Sequence, residues 1–190
     1  SSPYKSVGDL LDAARRKPGG LNYGSAGVGT SNHLSSALLA TRTGAPLNHV
    51  PYKGSAPALT DLLGGNIDFM FDTRGGVGPQ IDSGRLRAIA QTAAHRLPDY
   101  PDLPTVAETV PDYVVLGWNA LVAPAGLPAQ VERRLSDALR KYTTSPEFVR
   151  KLKELGTRVD YKDGPGLRSM IQQETARWEP IIKSLNLKPN

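Results

Sequence analysis

The chain has 190 residues, 39% of them hydrophobic, and a formal net charge of +5; this is enough apolar material for a buried core in one large or two small domains, and too much for a disordered chain. The absence of cysteine excludes disulfides, thiolate metal sites and a cysteine nucleophile. No run approaches the roughly 18 consecutive apolar residues of a membrane-spanning helix, and the basic residues are scattered in short groups such as Arg15, Arg16 and Lys17, so the charge suits an acidic small molecule and gives no basis for nucleic-acid binding.

Strand-like and helix-like runs alternate through the first part of the chain. Residues 7–16 read as a helix stopped by Pro18 and Gly19, 21–23 as a short strand, and 31–41 as a helix. Residues 47–52 are expected as the next strand, 56–63 as a helix ended by Gly64 and Gly65, and 67–71 as a third strand. A short helix at 77–83 leads to a fourth strand at 86–92. Such alternation implies βαβ units, hence an α/β architecture with a mostly parallel sheet flanked by helices on both faces. Pro98, Pro101, Pro104 and Pro111 break regular structure and suggest a surface connection. Residues 114–123 resume as an apolar strand, after which the pattern turns helical at 128–142, 146–155 and 166–185, with a short strand at 158–161. Composition shifts near Leu116. One strand cannot give the later helices a sheet of their own, so the segment after Gly117 is expected either to cover the first unit or to form a second domain.

The most informative motif is LNYGSAGVGTSNH at residues 21–33, a strand running into a glycine-rich loop and then a helix. Gly24, Gly27 and Gly29 permit backbone angles closed to other residues, so N–H groups converge at the helix start, where partial positive charge favours a carboxylate or phosphate. Ser25, Thr30 and Ser31 add hydroxyls. The alternative is that Thr30 or Ser31 merely caps the helix, and spacing does not decide between the two.

In an open parallel sheet, ligands bind beyond the carboxyl ends of the strands, which brings the loops at 24–31, 53–56 and 72–76 to one edge. Those loops also carry Ser55, Thr73, the cations Lys53 and Arg74, and one carboxylate, Asp72. Asp72 ends an apolar strand, so it is either a turn cap or an acceptor for a ligand ammonium or hydroxyl. Tyr52 is expected to pack rather than to recognise. His33, His49 and His95 lack metal-ligand spacing; Ser25 has no GxSxG around it and no histidine evidently placed as its base. Neither a metal, a cofactor nor catalysis is expected.

NYGSAGVGTSNHL, followed by HVPYKGSAPALTDLLGGNIDFMFD, GRLRAIAQT, LPTVAE and LVAPAGLP, resembles the Bug family, the solute-binding proteins of the tripartite tricarboxylate transporters, across nearly the whole chain. The resemblance implies a periplasmic, two-lobed binding protein of periplasmic binding protein-like fold. It would close like a flytrap around a small carboxylate (a di- or tricarboxylate, an amino acid or an aromatic acid) and deliver it to the membrane components of the transporter. Family members are longer and begin with a lobe whose N-terminal part has no counterpart here, which implies a truncated or processed chain. Residues 1–114 would be the complete ligand-binding second lobe, and 115–190 the mostly helical return of the first. The apolar face of the last helix, with Leu167, Met170, Ile171, Trp178, Ile181 and Leu185, would then need a cover, and self-association is one way to supply it.

By the same resemblance, Ser25, Ala26, Gly27, Gly29, Thr30 and Ser31 form the carboxylate cradle, and Asp72 and Thr73 face the ligand. Lys53 and Arg74 are further candidates; Arg74 stands where the family often departs from this chain, with asparagine, leucine and proline after the aspartate. The alternative role is a ligand-sensing module feeding a two-component or transcriptional regulator, with an enzyme on the same loops as a third reading.

Overall fold

Ser6 opens the first helix, α1 (Val7–Arg16), by accepting the Asp9 N–H on its hydroxyl at 3.1 Å, while Asp9 in the first turn and Arg15 and Arg16 in the last complement the helix dipole. The computed structural model describes residues 2–185. They divide into two units between Gly117 and Trp118, beside the change of composition at Leu116.

The first unit continues with β1 (Leu21–Ser25), α2 (Ser31–Thr43), β2 (Leu47–Pro51), α3 (Ser55–Gly64), β3 (Phe69–Met70) and α4 (Arg74–Asp82). The strands form one parallel sheet in the order β2-β1-β3, with Tyr23 opposite both His49 and Phe69. Alternation along β1 decides where the helices go. Tyr23 stacks with His33 of α2, whereas a Cβ added at Gly24 would collide with Ile67 Cδ1 and lie 3.4 Å from Ala58 of α3. The two helices therefore cover opposite faces, as right-handed crossovers to strands on either side of β1 require. That order places a topological switch point at the carboxyl ends of β1 and β3. Leu10, Leu11 and Ala14 of α1, Leu21 of β1, and Ala37, Leu38 and Leu39 of α2 are buried.

Several expected strands do not form. The one expected at 86–92 contributes a single bridge, Gln91 to Thr105, and β3 is only two residues long. Beside the Gln91–Thr105 bridge stands Pro104, which accepts the Gln91 N–H on its carbonyl but has no N–H of its own to extend the ladder. Nor is the proline stretch only a surface connection. It folds back so that the Gln91 side-chain amide donates to the carbonyls of Tyr100 (3.1 Å) and Leu103 (2.6 Å), a 3-10 turn at Val106–Glu108 buries Val106, and Val110 is buried as well. Tyr113, fully buried, donates its hydroxyl to the Ser35 carbonyl of α2 at 2.8 Å.

The second unit holds α5 (Ala129–Thr143), α6 (Pro146–Glu154) and α7 (Gly164–Ser184). Ser145 caps α6 and Asp163 caps α7, while Tyr142 and Phe148 join α5 to α6 with ring centroids 4.7 Å apart. No residue of these three helices is fully buried. Their apolar positions stay open, with Val131, Leu135, Tyr142, Val149 and Ile171 exposed, and Leu116, Trp118, Leu121 and Val122 stand exposed in the run expected as a strand. On α7, Leu167, Met170, Trp178 and Ile181 are half-buried, as is Leu185 just beyond it. Residues 158–161 are not a strand either. The end of the expected second segment, 186–190, lies outside the described residues. Among the described residues, no helix is long and apolar enough to cross a membrane.

Candidate functional site at the carboxyl edge of the sheet

The loop between β1 and α2 is built by its own polar groups. Gly27 and Gly29 take φ of 137° and 78°, a region that side chains disfavour, which turns the chain sharply before the helix. Thr30 occupies the N-cap position of α2, yet its side chain makes no capping hydrogen bond. Its hydroxyl instead donates back to the Gly27 carbonyl at 2.7 Å and closes the loop on itself. The first N–H groups of α2 are thus left, among the described residues, without a side-chain partner at the switch point. Gly54, the N-cap of α3, supplies no side-chain cap either. In contrast, α4 is capped by Thr73, whose hydroxyl accepts from the Gly76 N–H at 3.3 Å.

Backbone bonds hold the neighbouring loops together. Tyr52 N–H donates to Ser25 O and Gly54 N–H to Ala26 O, both at 3.1 Å, so the loop after β2 is tied to the loop after β1. On the other side, the Asn32 amide donates to the Phe71 carbonyl at 2.6 Å, which ties the first turn of α2 to the end of β3. Asp72 follows Phe71 directly. One of its oxygens accepts the Thr73 N–H at 2.7 Å, and the other is buried with no hydrogen-bond partner among the described residues. A buried acceptor left unmade costs about 1–3 kcal/mol, so this oxygen is a ready acceptor for a donor brought to the loop.

The eight residues expected in the site gather at this edge in different ways. Thr30, Ala26 and Gly27 are half-buried, and Ser31 and Gly29 are exposed. The N–H groups of Gly27 and Gly29 are already engaged, donating to Ser25 Oγ and to His33 Nδ1, both at 3.1 Å. Ser25 is fully buried. The expectation that no histidine stands beside it is overturned: His49 Nε2 lies 2.6 Å from Ser25 Oγ. Sequence distance concealed the pair, but the parallel register sets Tyr23 against His49, and Ser25 is its diagonal neighbour on the same face. With no exposure, the Ser25 hydroxyl lies inside the fold, and the pair is a contact between neighbouring strands.

Arg74 reaches along α4 and donates to both Asp82 oxygens, at 2.7 and 2.8 Å, its guanidinium lying where a Cβ at Gly78 would be. Lys53 is exposed, with no ion pair recorded among the described residues. Tyr52 donates its hydroxyl to Asp61 at 2.6 Å. Three residues that shape the site were missed in the sequence: Asn32, His33 and His49. His33 and His49 stack with centroids 3.9 Å apart and interplanar angle 18°, beside Tyr23. Burial pushes the pKa of both histidines down, that of His49 to about 4 with the neighbouring His33 charge as a second cause. Among the described residues, no group of three or more His, Cys, Asp or Glu side chains could hold a metal ion.

Comparison with known proteins supplies the context. Residues 1–187 match the family described as TctC, the tripartite tricarboxylate transporter family receptor. A relative in Pseudomonas sp. (strain P51), the UPF0065 protein in the tcbD-tcbE intergenic region, is 40% identical over 191 residues, covering 100% of this chain and 57% of that protein. Among solved structures, R. palustris Rpa4515 with adipate superposes with a TM-score of 0.91 at 35% identity, over 100% of this chain and 64% of the other. The periplasmic binding protein BugD gives 0.86 at 30% identity, over 99% of this chain and 64% of the other. The chain therefore spans a little over half the length of the first and under two thirds of the other two.

Proposed function

The chain belongs to the TctC family of tripartite tricarboxylate transporter receptors, and from that premise we propose that it captures a small carboxylate as a periplasmic solute-binding protein and presents it to the membrane components of a transporter. One observation carries this reading. Thr30 spends its hydroxyl on the loop and not on the helix, which leaves the first turn of α2 open to an anion at the switch point of the sheet.

In this reading the Ser31 hydroxyl and the first N–H groups of α2 meet the carboxylate, and Thr30, whose hydroxyl proton goes to Gly27 O, holds the loop against it. Ala26, Gly27 and Gly29 give the loop its shape, and Ser25 supports it from beneath. Asp72, with its unpartnered oxygen, and Thr73 meet the remainder of the ligand, which favours a carboxylate that also carries a hydroxyl or ammonium. Lys53 adds an exposed positive charge, while Arg74 is already committed to Asp82. Binding rather than catalysis fits the burial of Ser25. Residues 1–114 would act as one lobe and 115–190 as the return of the other, and the exposed Val131 and Leu135 of α5 and Ile171 of α7 would be covered in the working protein, by a second copy if the chain self-associates. The adipate of the R. palustris relative makes dicarboxylates the first class to try.

Isothermal titration with succinate, glutarate, adipate, malate and citrate, set against succinamide, tests the proposal. Saturable binding of at least one acid, weakened by salt and absent for the neutral amide, supports it. Binding of no acid, or of amide and acid alike, would refute it.

A further inference from the structure

We infer that His33 and His49 are positioning residues for the cradle loop, held neutral in opposite tautomers, with the ring proton of His33 on Nε2 and that of His49 on Nδ1. This rests on the reading of the loop as a ligand cradle.

The assignment follows from counting donors and acceptors. Gly29 N–H donates to His33 Nδ1 at 3.1 Å, so that nitrogen carries no proton. Ser25 Oγ receives the Gly27 N–H at 3.1 Å and has one proton to give, with two acceptors in reach: Gly27 O at 3.1 Å and His49 Nε2 at 2.6 Å. Gly27 O already takes the Thr30 hydroxyl at 2.7 Å. A separation of 2.6 Å suits a hydroxyl donor and is short for a ring N–H donor. The Ser25 proton therefore points to His49 Nε2, which leaves the His49 proton on Nδ1.

The surroundings agree. His33 is 4% exposed and the rings overlap at 3.9 Å, so a charge on one would be desolvated and would repel a charge on the other. The titratable group packed against them is Tyr23, itself buried and pushed up to about 12, hence neutral; Phe69 of β3 lies behind it. Among the described residues, neither histidine has an ion pair. Each ring thus accepts one bond from the cradle: His33 fixes the Gly29 amide, and His49 fixes Ser25, which in turn fixes the Gly27 amide. The two glycines of the turn are pinned by two stacked imidazoles from different elements, α2 and β2, and the open N–H groups of α2 follow directly after them in the chain.

Imidazole 15N resonances of the 15N-histidine-labelled chain at pH 7 read the tautomers directly. Opposite neutral tautomers as assigned are expected. The same tautomer on both rings, or a charged ring, would overturn the inference without any ligand being present. His49→Gln keeps an acceptor for the Ser25 proton and His49→Leu removes it. The leucine variant is expected to shift the Gly27 amide and to weaken succinate, glutarate and adipate binding about tenfold, the effect of one lost hydrogen bond of about 1.4 kcal/mol, with the glutamine variant closer to the parent. Equal effects of the two substitutions would also overturn it. If the parent binds none of the three acids while the tautomers are as assigned, the cradle reading fails and the positioning of the loop stands.

Discussion

Ser25 Oγ lies 2.6 Å from His49 Nε2, across the pairing between β1 and β2. The contact joins a loop that must hold an unusual shape to a strand that cannot move independently of the sheet. A glycine-rich loop would otherwise lose conformational entropy on every binding event; here that cost is met on folding, since Gly27 and Gly29 already have their partners.

Thr30→Val removes the hydroxyl that donates to Gly27 O and closes the cradle loop on itself, while it keeps the shape of the side chain. Affinity for dicarboxylates is expected to fall about tenfold, and stability by about 1 kcal/mol or less. Calorimetric titration and urea unfolding measure both. A large loss of stability with normal binding would return Thr30 to the role of an ordinary structural residue.

Asp72→Asn removes a negative charge whose second oxygen has no partner. Plain dicarboxylates such as succinate are expected to bind more tightly, by a few-fold, because a like charge near the ligand costs about 1 kcal/mol in a partly solvated site. Malate and aspartate, which bring a hydroxyl or ammonium, are expected to gain less or to weaken. Competition titration gives the ratio, and the same change for all three acids would remove Asp72 from ligand discrimination.

Lys53→Ala and Arg74→Ala should separate. Arg74 is held by Asp82 over Gly78, so its loss is expected to leave dicarboxylate affinity within about twofold and to change stability little, as for exposed ion pairs generally. Lys53 is exposed beside the cradle, so its loss is expected to lower affinity at low salt and to reduce the salt dependence. Titrations at two ionic strengths distinguish the two residues.

Acid should destabilise the first unit in two stages. His49 titrates near 6.5 when unfolded and near 4 in the fold. Between those values the unfolded chain takes up the proton, so its contribution is complete above about 6.5 and is lost as pH falls toward 4; His33 shifts in the same direction. Glu108, held at about 2 chiefly by its hydrogen bonds from Arg96, contributes stability above its unfolded value of 4.5 that is lost as pH falls through 2. Urea midpoints from pH 7 to 3 should therefore fall first between 6.5 and 4, and that first decline should shrink in His49→Gln. An unchanged decline in the variant would mean that His49 is not its source.

The sheet and its flanking helices were legible because residues 7–16, 31–41 and 56–63 carry helical spacing and glycine or proline stops, and LNY and LNHV between them are short extended runs. The strand at 86–92 was misread. Leu86, Ala88, Ile89 and Ala90 supply the apolar content of a strand, but a strand needs a neighbour, and among the described residues only Gln91 finds one, in its bridge to Thr105. The anion-facing loop was visible in its glycines and hydroxyls. The histidines beneath it were not, because His33 and His49 meet only after β1 and β2 pair in register and α2 folds over that face. Read singly, each is an ordinary histidine.

The most direct measurement is a backbone amide titration of the 15N-labelled chain with succinate, glutarate and adipate. The amides of Ser31, Asn32 and His33, at the open first turn of α2, are expected to shift together and saturably, with Asp72 and Thr73 following and the second unit unmoved. Saturable shifts centred elsewhere, or none at the first turn of α2 while an acid binds, would contradict the assignment of this loop as the carboxylate cradle.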